Sequence, residues 1–186
     1  MCPHVDFYRV SNSIRGPGDS LYKYLRAAIA EALEIRFLVA FITESGARLL
    51  VKPLQEAAER GVPITILTGT YLCNTEPYAL EYLKEKVGPA LNLRVYAETG
   101  RSFHPKAYFF DLPSDNEVFI SSANLSWTAL TTGVEWSYRL RKSRAPNDYQ
   151  QFDEEYHRLL TTYSLPVTKE FLDEYWREWR EKNNNN

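Results

Sequence analysis

The chain has 186 residues, 44% apolar and 25% charged, which is ordinary for a globular domain that can build a full core. A formal net charge of −2 argues against a globally basic nucleic-acid-binding protein and leaves only local basic patches. Two cysteines are too few for a disulfide framework, and no apolar run is long enough to span a membrane. We therefore expect one cytoplasmic domain over residues 1–182, with no membrane partner, and a disordered tail or linker stub over residues 183–186.

The first half of the chain alternates between helical and strand patterns. Apolar residues at helical spacing predict a first helix from Asp19 or Ser20 to Leu33. Strands are predicted over residues 35–42, 63–67 and 91–96, and further helices over 46–60 and 77–87. The second helix is expected to kink or restart near Pro53. Strand and helix alternating at these spacings predict right-handed crossovers and a parallel sheet.

The second half of the chain has a different pattern. A hairpin is predicted over residues 106–111 and 118–121, a strand over 133–140, and helices over 148–160 and 168–181. Together the two halves predict a mixed α/β fold with a largely parallel central sheet and helices on both faces.

Four polar residues between positions 103 and 136 have a pattern suited to phosphate chemistry. His104 and Lys106 are two apart, so on an extended strand they share a face, where an ammonium can bind phosphate and an imidazole can attack or protonate it. Asn124, in the turn SSAN, can donate an amide hydrogen bond to a phosphoryl oxygen. Glu135 can hold an imidazole in one tautomer.

These residues resemble the signature of the phospholipase D superfamily, which is His-x-Lys, four residues, Asp, and then a Gly/Ser-Ser-x-Asn turn. His104, Lys106, Asp111 and Asn124 match it in order, and Glu135 stands where many members carry an acidic residue. Ser121 replaces the usual Gly. The segment from Asp111 to Ser121 is longer than usual, which predicts a longer hairpin. The resemblance covers about residues 38–140 and implies the same mixed α/β fold.

The resemblance also implies a phosphohistidine mechanism, and because no Cys/His or carboxylate cluster has metal-ligand spacing, we expect that mechanism to need no metal or other cofactor. In it His104 attacks phosphorus, a second histidine protonates the leaving oxygen, and water hydrolyses the phosphohistidine. Lys106 and Asn124 hold the non-bridging oxygens, and Glu135 orients an imidazole. Because only His104 has a suitable context, we expect a symmetric homodimer with a composite active site.

The motif occurs once, as HPKAYFF, SSANLS and GVEW, a form similar to nuclease-like domains attached to bacterial helicase and restriction proteins. This similarity implies a nuclease acting on DNA, or alternatively RNA, with such a domain attached. A second interpretation keeps the chemistry but takes a phospholipid or small phosphodiester as substrate. A third is a catalytically weak nucleic-acid-binding domain of a larger helicase or restriction machine.

Four further residues are candidates for substrate binding. Ser122 can donate to the phosphate, and Thr70 follows a parallel strand at the end where open α/β sheets bind ligands. Arg139 and Arg141 share a face of the last strand and can track a polyanionic backbone. The alternative for the two arginines is a charged edge strand that blocks aggregation.

Other conspicuous residues have simpler interpretations. Asp111 is expected to be structural because it lies five residues beyond Lys106 on one strand. His4 and His157 are expected to be solvated. Trp127 and Trp136 border the motif and are expected in the core, with stacking on a base or sugar as the alternative.

Overall fold

One eight-stranded sheet organises residues 12–184, the part of the chain that the computed structural model describes. Its strands are β1 (Ser13–Arg15), β2 (Glu34–Val39), β3 (Ile64–Thr68), β4 (Leu91–Tyr96), β5 (Lys106–Asp111), β6 (Glu117–Ser121), β7 (Trp136–Arg141) and β8 (Ser164–Pro166). Their order across the sheet is β1-β7-β6-β5-β2-β3-β4-β8. The predicted mixed α/β architecture is confirmed.

The sheet is less parallel than expected. Only the β2–β3 and β3–β4 pairs are parallel in the described residues, and the other five strand pairs are antiparallel. The connection over residues 97–105 contains no helix. The chain therefore stays at the edge where β4 ends, and β5 starts there and runs in the opposite direction. The expectation that most strand pairs would be parallel was wrong because it extended the helical crossovers of the first half of the chain to the whole sheet.

Helices cover both faces of the sheet, as predicted. They are α1 (Leu21–Glu31), α2 (Glu44–Glu59), α3 (Pro77–Val87), α4 (Trp127–Thr131), α5 (Pro146–Thr162) and α6 (Lys169–Asn184). The core on one face joins the sheet to α1, α2, α3, α4 and α6, and the core on the other joins it to α5. α2 runs through Pro53 without a restart.

β2 lies at the centre of both cores. Phe37 packs on the face with five helices and Leu38 on the face of α5, so alternate side chains are buried on opposite sides. Burial of one such side chain contributes roughly 1.5–3 kcal/mol relative to its exposure. This explains why an almost continuous apolar run correctly predicted a doubly covered strand.

Several short elements were not predicted, namely β1, β8, α4 and the 3-10 helices Tyr71–Cys73 and Gly88–Ala90. The two strands have three residues each, and α4 has five, so their patterns are too short for periodicity to reveal. α6 extends to Asn184, and the Asn183 amide donates to the Trp179 carbonyl at 2.8 Å. The first two residues of the predicted tail are therefore helical. No helix among residues 12–184 has the length and apolar character to cross a membrane.

The strand directions bring four loops to one edge of the sheet. β2 and β6 end at this edge, and β5 and β7 begin there, as shown by the pairing of Val39 with Lys106 and of Ser121 with Ser137. The residues next to these strand ends are therefore neighbours in space. We call this the catalytic edge.

Candidate active site

Lys106 and His104 are in direct contact at the catalytic edge. Lys106 is the first residue of β5 and is buried, whereas the His104 side chain is exposed. Lys106 Nζ lies 2.6 Å from His104 Nδ1 and donates to the His104 carbonyl oxygen at 2.9 Å. Burial lowers the pKa of Lys106, and the negative charge of Glu135 opposes that shift.

This contact determines the tautomer of the imidazole. An ammonium donates hydrogen bonds and accepts none, so Nδ1 of His104 is the acceptor and presents its lone pair to Lys106. A neutral ring in this arrangement carries its proton on Nε2. His104 precedes β5 and does not share a strand with Lys106, but the predicted proximity of the two side chains is realised as a hydrogen bond between them.

Asn124 follows β6 and is buried and anchored. Its side-chain oxygen accepts a hydrogen bond from the backbone N–H of Phe41 at 3.2 Å. That bond identifies which end of the amide is the oxygen and leaves the Nδ2 group as the donor. A donor held in place at this edge is what the proposed phosphoryl contact requires.

The turn that carries Asn124 is joined to the start of α2. Thr43 N donates to the Leu125 carbonyl at 3.0 Å, and Leu125 N donates to the Phe41 carbonyl at 3.3 Å. A methyl group at Gly46 would lie 2.0 Å from that Leu125 oxygen, so the backbones approach as closely as only glycine permits. On the other side, the buried Tyr108 hydroxyl donates to the Ala123 carbonyl at 2.9 Å. The turn is therefore held rigidly.

Glu135 and Ser122 bind each other. The Ser122 hydroxyl donates to the Glu135 carboxylate, and the Ser122 oxygen accepts from Trp136 N at 3.0 Å. Glu135 was expected to orient an imidazole, but in the described residues its hydrogen-bond partner is Ser122. The Ser122 proton is likewise directed to Glu135 here, although Ser122 was a candidate phosphate donor.

A cavity of about 500 Å³ opens beside His104 on the face of α5. The residues that line the cavity include Leu38, Tyr96, Arg101, Ser102, Phe103, His104, Lys106, Ala107, Phe109, Ile120, Phe152, Glu155, Tyr156, Arg158 and Leu159. We call this the His104 cavity. Thr70 lines a second cavity, also of about 500 Å³, which shares Tyr96, Arg101, Ser102 and Phe103 with the first. Thr70 is therefore separated from His104 by the wall that these shared residues form.

Arg139 and Arg141 do not lie beside this site. Arg139 is buried and its Nε donates to Glu117 at 2.7 Å, while Arg141 Nε lies 4.0 Å from the same carboxylate. Burial raises the pKa of Glu117, and the two arginines oppose that rise. Both arginines line a different cavity, next to α1. Arg139 does not form part of the basic stripe that was predicted to track a polyanion, because the neighbouring strand β6 supplies a buried carboxylate that pairs with it.

The two tryptophans that border the motif are exposed. Trp136 is 73% exposed and Trp127 is 47% exposed, so the expectation that they lie in the core was wrong. Trp127 is the first residue of α4, and Trp136 is the first residue of β7.

The remaining expectations concern Asp111 and the other histidines. The Asp111 carboxylate accepts from buried Arg36 at 2.9 Å, which agrees with a structural role. His157 is exposed on α5, and its Nδ1 donates to the Asp153 carbonyl at 2.8 Å. His4 lies outside the described residues. Among residues 12–184, no group of three His, Cys, Asp or Glu side chains is placed to hold a metal ion.

The sequence matches the family model described as "Cardiolipin synthase, PLD-like domain" over residues 25–160. The chain belongs to this phospholipase D-like family. The match includes the loop that carries His104, the strand β5 that begins at Lys106, and the turn after β6 that carries Asn124. A search of curated proteins finds no match.

Solved structures share the phospholipase D-like fold. A phospholipase D family member, Nuc from Salmonella typhimurium, has a TM-score of 0.67 at 19% identity, covering 84% of this chain and 97% of its own. NucT from Helicobacter pylori has a TM-score of 0.65 at 17% identity, covering 81% and 95%. Phosphatidylserine synthase from Haemophilus influenzae has a TM-score of 0.63 at 12% identity, covering 92% and 45%. At these identities the likeness concerns the fold.

Two parts of this phospholipase D-like site were not found in the sequence. Phe41 contributes only its backbone N–H, which leaves no signal in residue type. The wall that α5 gives the His104 cavity consists of Phe152, Tyr156 and Leu159. Their spacing of four and three residues marks one face of a helix, but it does not reveal which strand that face covers.

Proposed function

We propose that this chain is a phosphodiesterase that hydrolyses DNA through a phosphohistidine intermediate. The proposal rests on one observation, the ammonium of Lys106 held against the imidazole of His104 at the edge that also carries Asn124. Membership of the phospholipase D-like family supports phosphodiester chemistry in general.

In the proposed reaction a nitrogen of His104 attacks phosphorus, and a P–N bond forms as the bond to the leaving oxygen breaks. That oxygen takes a proton from a general acid. Water then attacks phosphorus, the P–N bond breaks, and the imidazole is regenerated. Lys106 and the Nδ2 group of Asn124 stabilise the charge that builds on the non-bridging oxygens.

Substrate binding is expected to rearrange the pair of Lys106 and His104. The ammonium donates to Nδ1, so that lone pair is engaged while the contact lasts. Phosphate oxygens are stronger acceptors than a neutral imidazole and would draw the ammonium away. An imidazole lone pair would then be available to attack the phosphate that displaced it.

We further propose that the general acid comes from a second copy of the chain in a homodimer. Within residues 12–184, the other histidine is His157, on α5 and hydrogen-bonded to Asp153. Val134 and Trp136, on either side of Glu135, are 79% and 73% exposed. Exposed apolar groups beside an incomplete site are typical of an interface, and one two-fold axis would bring two sets of His104 and Lys106 together.

The choice of DNA rests on the resemblance of the single HPKAYFF, SSANLS and GVEW motif to nuclease-like domains. The likeness to phosphatidylserine synthase and the description of the family model support a phospholipid as the alternative substrate. Attachment of a helicase or restriction domain stays a prediction.

In the deciding assay the purified protein is incubated in EDTA with labelled single- or double-stranded DNA, or with phosphatidylglycerol vesicles, and cleavage of each substrate is measured. We expect DNA cleavage that disappears in His104→Ala. Hydrolysis of the lipid without cleavage of DNA would replace the nuclease proposal. DNA binding without cleavage would support the binding-domain interpretation.

A further inference from the structure

We propose that the His104 cavity binds an unpaired nucleobase of the nucleotide next to the scissile phosphate. This inference rests on the proposed function because it takes the phosphate to lie at His104 and Lys106. Both residues line the cavity, so a group esterified to that phosphate can reach into it. Its volume of about 500 Å³ is within the range of roughly 300–1,000 Å³ that is usual for small-ligand sites.

The walls of the cavity are aromatic on two sides. On one side Tyr96 and Phe103 stack on each other, with ring centroids 4.7 Å apart. On the other side α5 contributes Tyr156, which is buried, and Phe152, which is 45% exposed. Phe152 therefore has aromatic surface available to a ligand, and the buried rings hold the shape of the cavity. Flat rings stack on such surfaces, and every base has a suitable face.

The floor of the cavity is apolar and belongs to the sheet. Leu38, Ala107, Phe109 and Ile120 come from three neighbouring strands, β2, β5 and β6. An apolar floor between aromatic walls favours the transfer of a planar, weakly hydrated group from water. Catalysis by His104 and Lys106 uses neither this floor nor these walls.

The rim of the cavity carries both hydrogen-bond donors and acceptors. Arg101, Ser102, Glu155 and Arg158 line it and are exposed. Arg158 is paired with Glu155 at 2.7 Å, and Arg101 Nε lies 3.5 Å from the Glu98 carboxylate, so each rim arginine has a carboxylate partner. A base edge also presents donors and acceptors and can use such a rim, whereas an acyl chain cannot. These features favour a nucleobase over a lipid tail.

The position of the cavity beside His104 bears on whether the DNA substrate is paired or unpaired. A base in a duplex is stacked and paired, so it must leave the helix before it can enter a side cavity. The cavity therefore favours single-stranded DNA and unpaired ends.

The first test uses a single-stranded oligothymidylate that contains one tetrahydrofuran abasic residue. In the cleavage ladder of the wild type, a phosphodiester next to the abasic residue should be cut on the order of 10-fold more slowly than the others. In Phe152→Ala that contrast should disappear, whereas Phe152→Trp should keep it. Tyr78→Ala is the matched control, since Tyr78 is an exposed aromatic residue on α3 outside the cavity. A ladder with equal bands in the wild type would overturn the inference.

The second test requires no turnover. Binding of thymidine 5′-phosphate, deoxyribose 5-phosphate and dihexanoyl phosphatidic acid is measured by calorimetry on wild type and Phe152→Ala. The nucleotide should bind on the order of 10-fold more tightly than the sugar phosphate, and Phe152→Ala should remove the difference. Equal binding of the two would overturn the inference, as would a Phe152-dependent preference for the lipid. Base-dependent binding by a protein that cleaves no phosphodiester would uphold the cavity and refute the proposed hydrolysis.

Discussion

The side-chain oxygen of Asn124 accepts a hydrogen bond from the backbone N–H of Phe41 across 83 residues of sequence. The bond links the turn after β6 to the end of β2, on the far side of β5. One consequence is structural, because the bond gives the partly buried backbone N–H of Phe41 an acceptor that it would otherwise lack. The other is chemical, because the bond directs the amide so that its Nδ2 group is the end left to donate.

Two substitutions of Asn124 separate these roles. Asn124→Ala should slow turnover on the order of 10²-fold, as loss of an oxyanion-hole donor does. It should also lower the free energy of unfolding by about 1 kcal/mol, since Phe41 N–H loses its partner. Asn124→Asp keeps an acceptor for Phe41 but places an anion where the phosphate binds, so activity should fall at least as far while stability is largely kept. Steady-state kinetics and urea unfolding measure the two effects. Full activity of Asn124→Asp would contradict the phosphoryl contact.

Activity should survive the removal of metal ions. Attack by His104 and charge stabilisation by Lys106 need no metal ion. Cleavage rates should therefore be equal in excess EDTA and in buffer with Mg²⁺ at matched ionic strength, which must be fixed because DNA binding depends on salt. Activity that vanished in EDTA and returned with Mg²⁺ or Mn²⁺ would rule out the histidine mechanism.

The alkaline limb of the pH–rate profile should report on Lys106. Burial lowers the pKa of Lys106, so the ammonium loses its proton below the ordinary lysine range of about 10.4, and activity should fall as pH rises through that pKa. The negative charge of Glu135 raises this pKa. Glu135→Gln should therefore move the alkaline limb of kcat/KM to lower pH, in addition to any loss of rate. Glu59→Gln, an exposed carboxylate at the end of α2, is the control. An unmoved limb in Glu135→Gln would show that Lys106 does not set it.

Arg139 should matter for stability rather than for DNA binding. Arg139→Ala leaves the buried carboxylate of Glu117 without its close partner, which typically costs about 3–5 kcal/mol. Arg141→Ala, at 4.0 Å from Glu117 and more exposed, should cost less. The salt dependence of DNA binding should be unchanged in Arg139→Ala. A flatter salt slope would restore the hypothesis that this arginine contacts the DNA backbone.

The pH dependence of the Arg139→Ala defect provides a second check. Burial raises the pKa of Glu117, and loss of Arg139 raises it further. The native state then binds a proton that the unfolded state releases, so stability should rise as pH falls toward that pKa. Urea unfolding of Arg139→Ala at pH 7 and pH 5 should show the defect shrinking at the lower pH. A constant defect would mean that Glu117 is not the group left unpaired.

The sequence predicted the order of the first elements because that order depends on local patterns. A separation of two residues also placed His104 close to Lys106, although His104 precedes β5 and lies outside the strand. The partners of Glu135 and Arg139 were not predictable in this way. Both depend on pairing between β6 and β7 and on which neighbouring side chain meets them there. The exposure of Trp127 and Trp136 depends on how the rest of the chain packs around them, which residue type does not encode.

The direction of β5 shows the same limit. Helical patterns between β2, β3 and β4 correctly predicted crossovers and parallel pairing of these three strands. The segment 97–105 has no helical pattern, so it gives no sign of a crossover. The direction of β5 depends on the edge of the sheet at which this segment ends, and the sequence does not reveal that edge. The path of this segment is decisive, since it places His104 beside the ends of β2 and β6.

Subunit mixing tests the composite site most directly. His104→Ala alone should abolish turnover, since it removes the nucleophile. Wild type and His104→Ala are allowed to exchange subunits at equal amounts, with exchange confirmed by a tag on one of them.

If each reaction needs one histidine to attack and the partner's His104 to protonate, only wild-type homodimers are active. Activity per total protein should then fall to about a quarter under random pairing. Chains that work alone would retain about half, because each wild-type chain would keep its own activity under that arrangement. Glu59→Gln mixed with wild type in the same way controls for losses caused by handling, because Glu59 is exposed and lies at the end of α2 remote from the catalytic edge. A value at half with complete exchange would refute the shared site and leave water or another side chain as the acid.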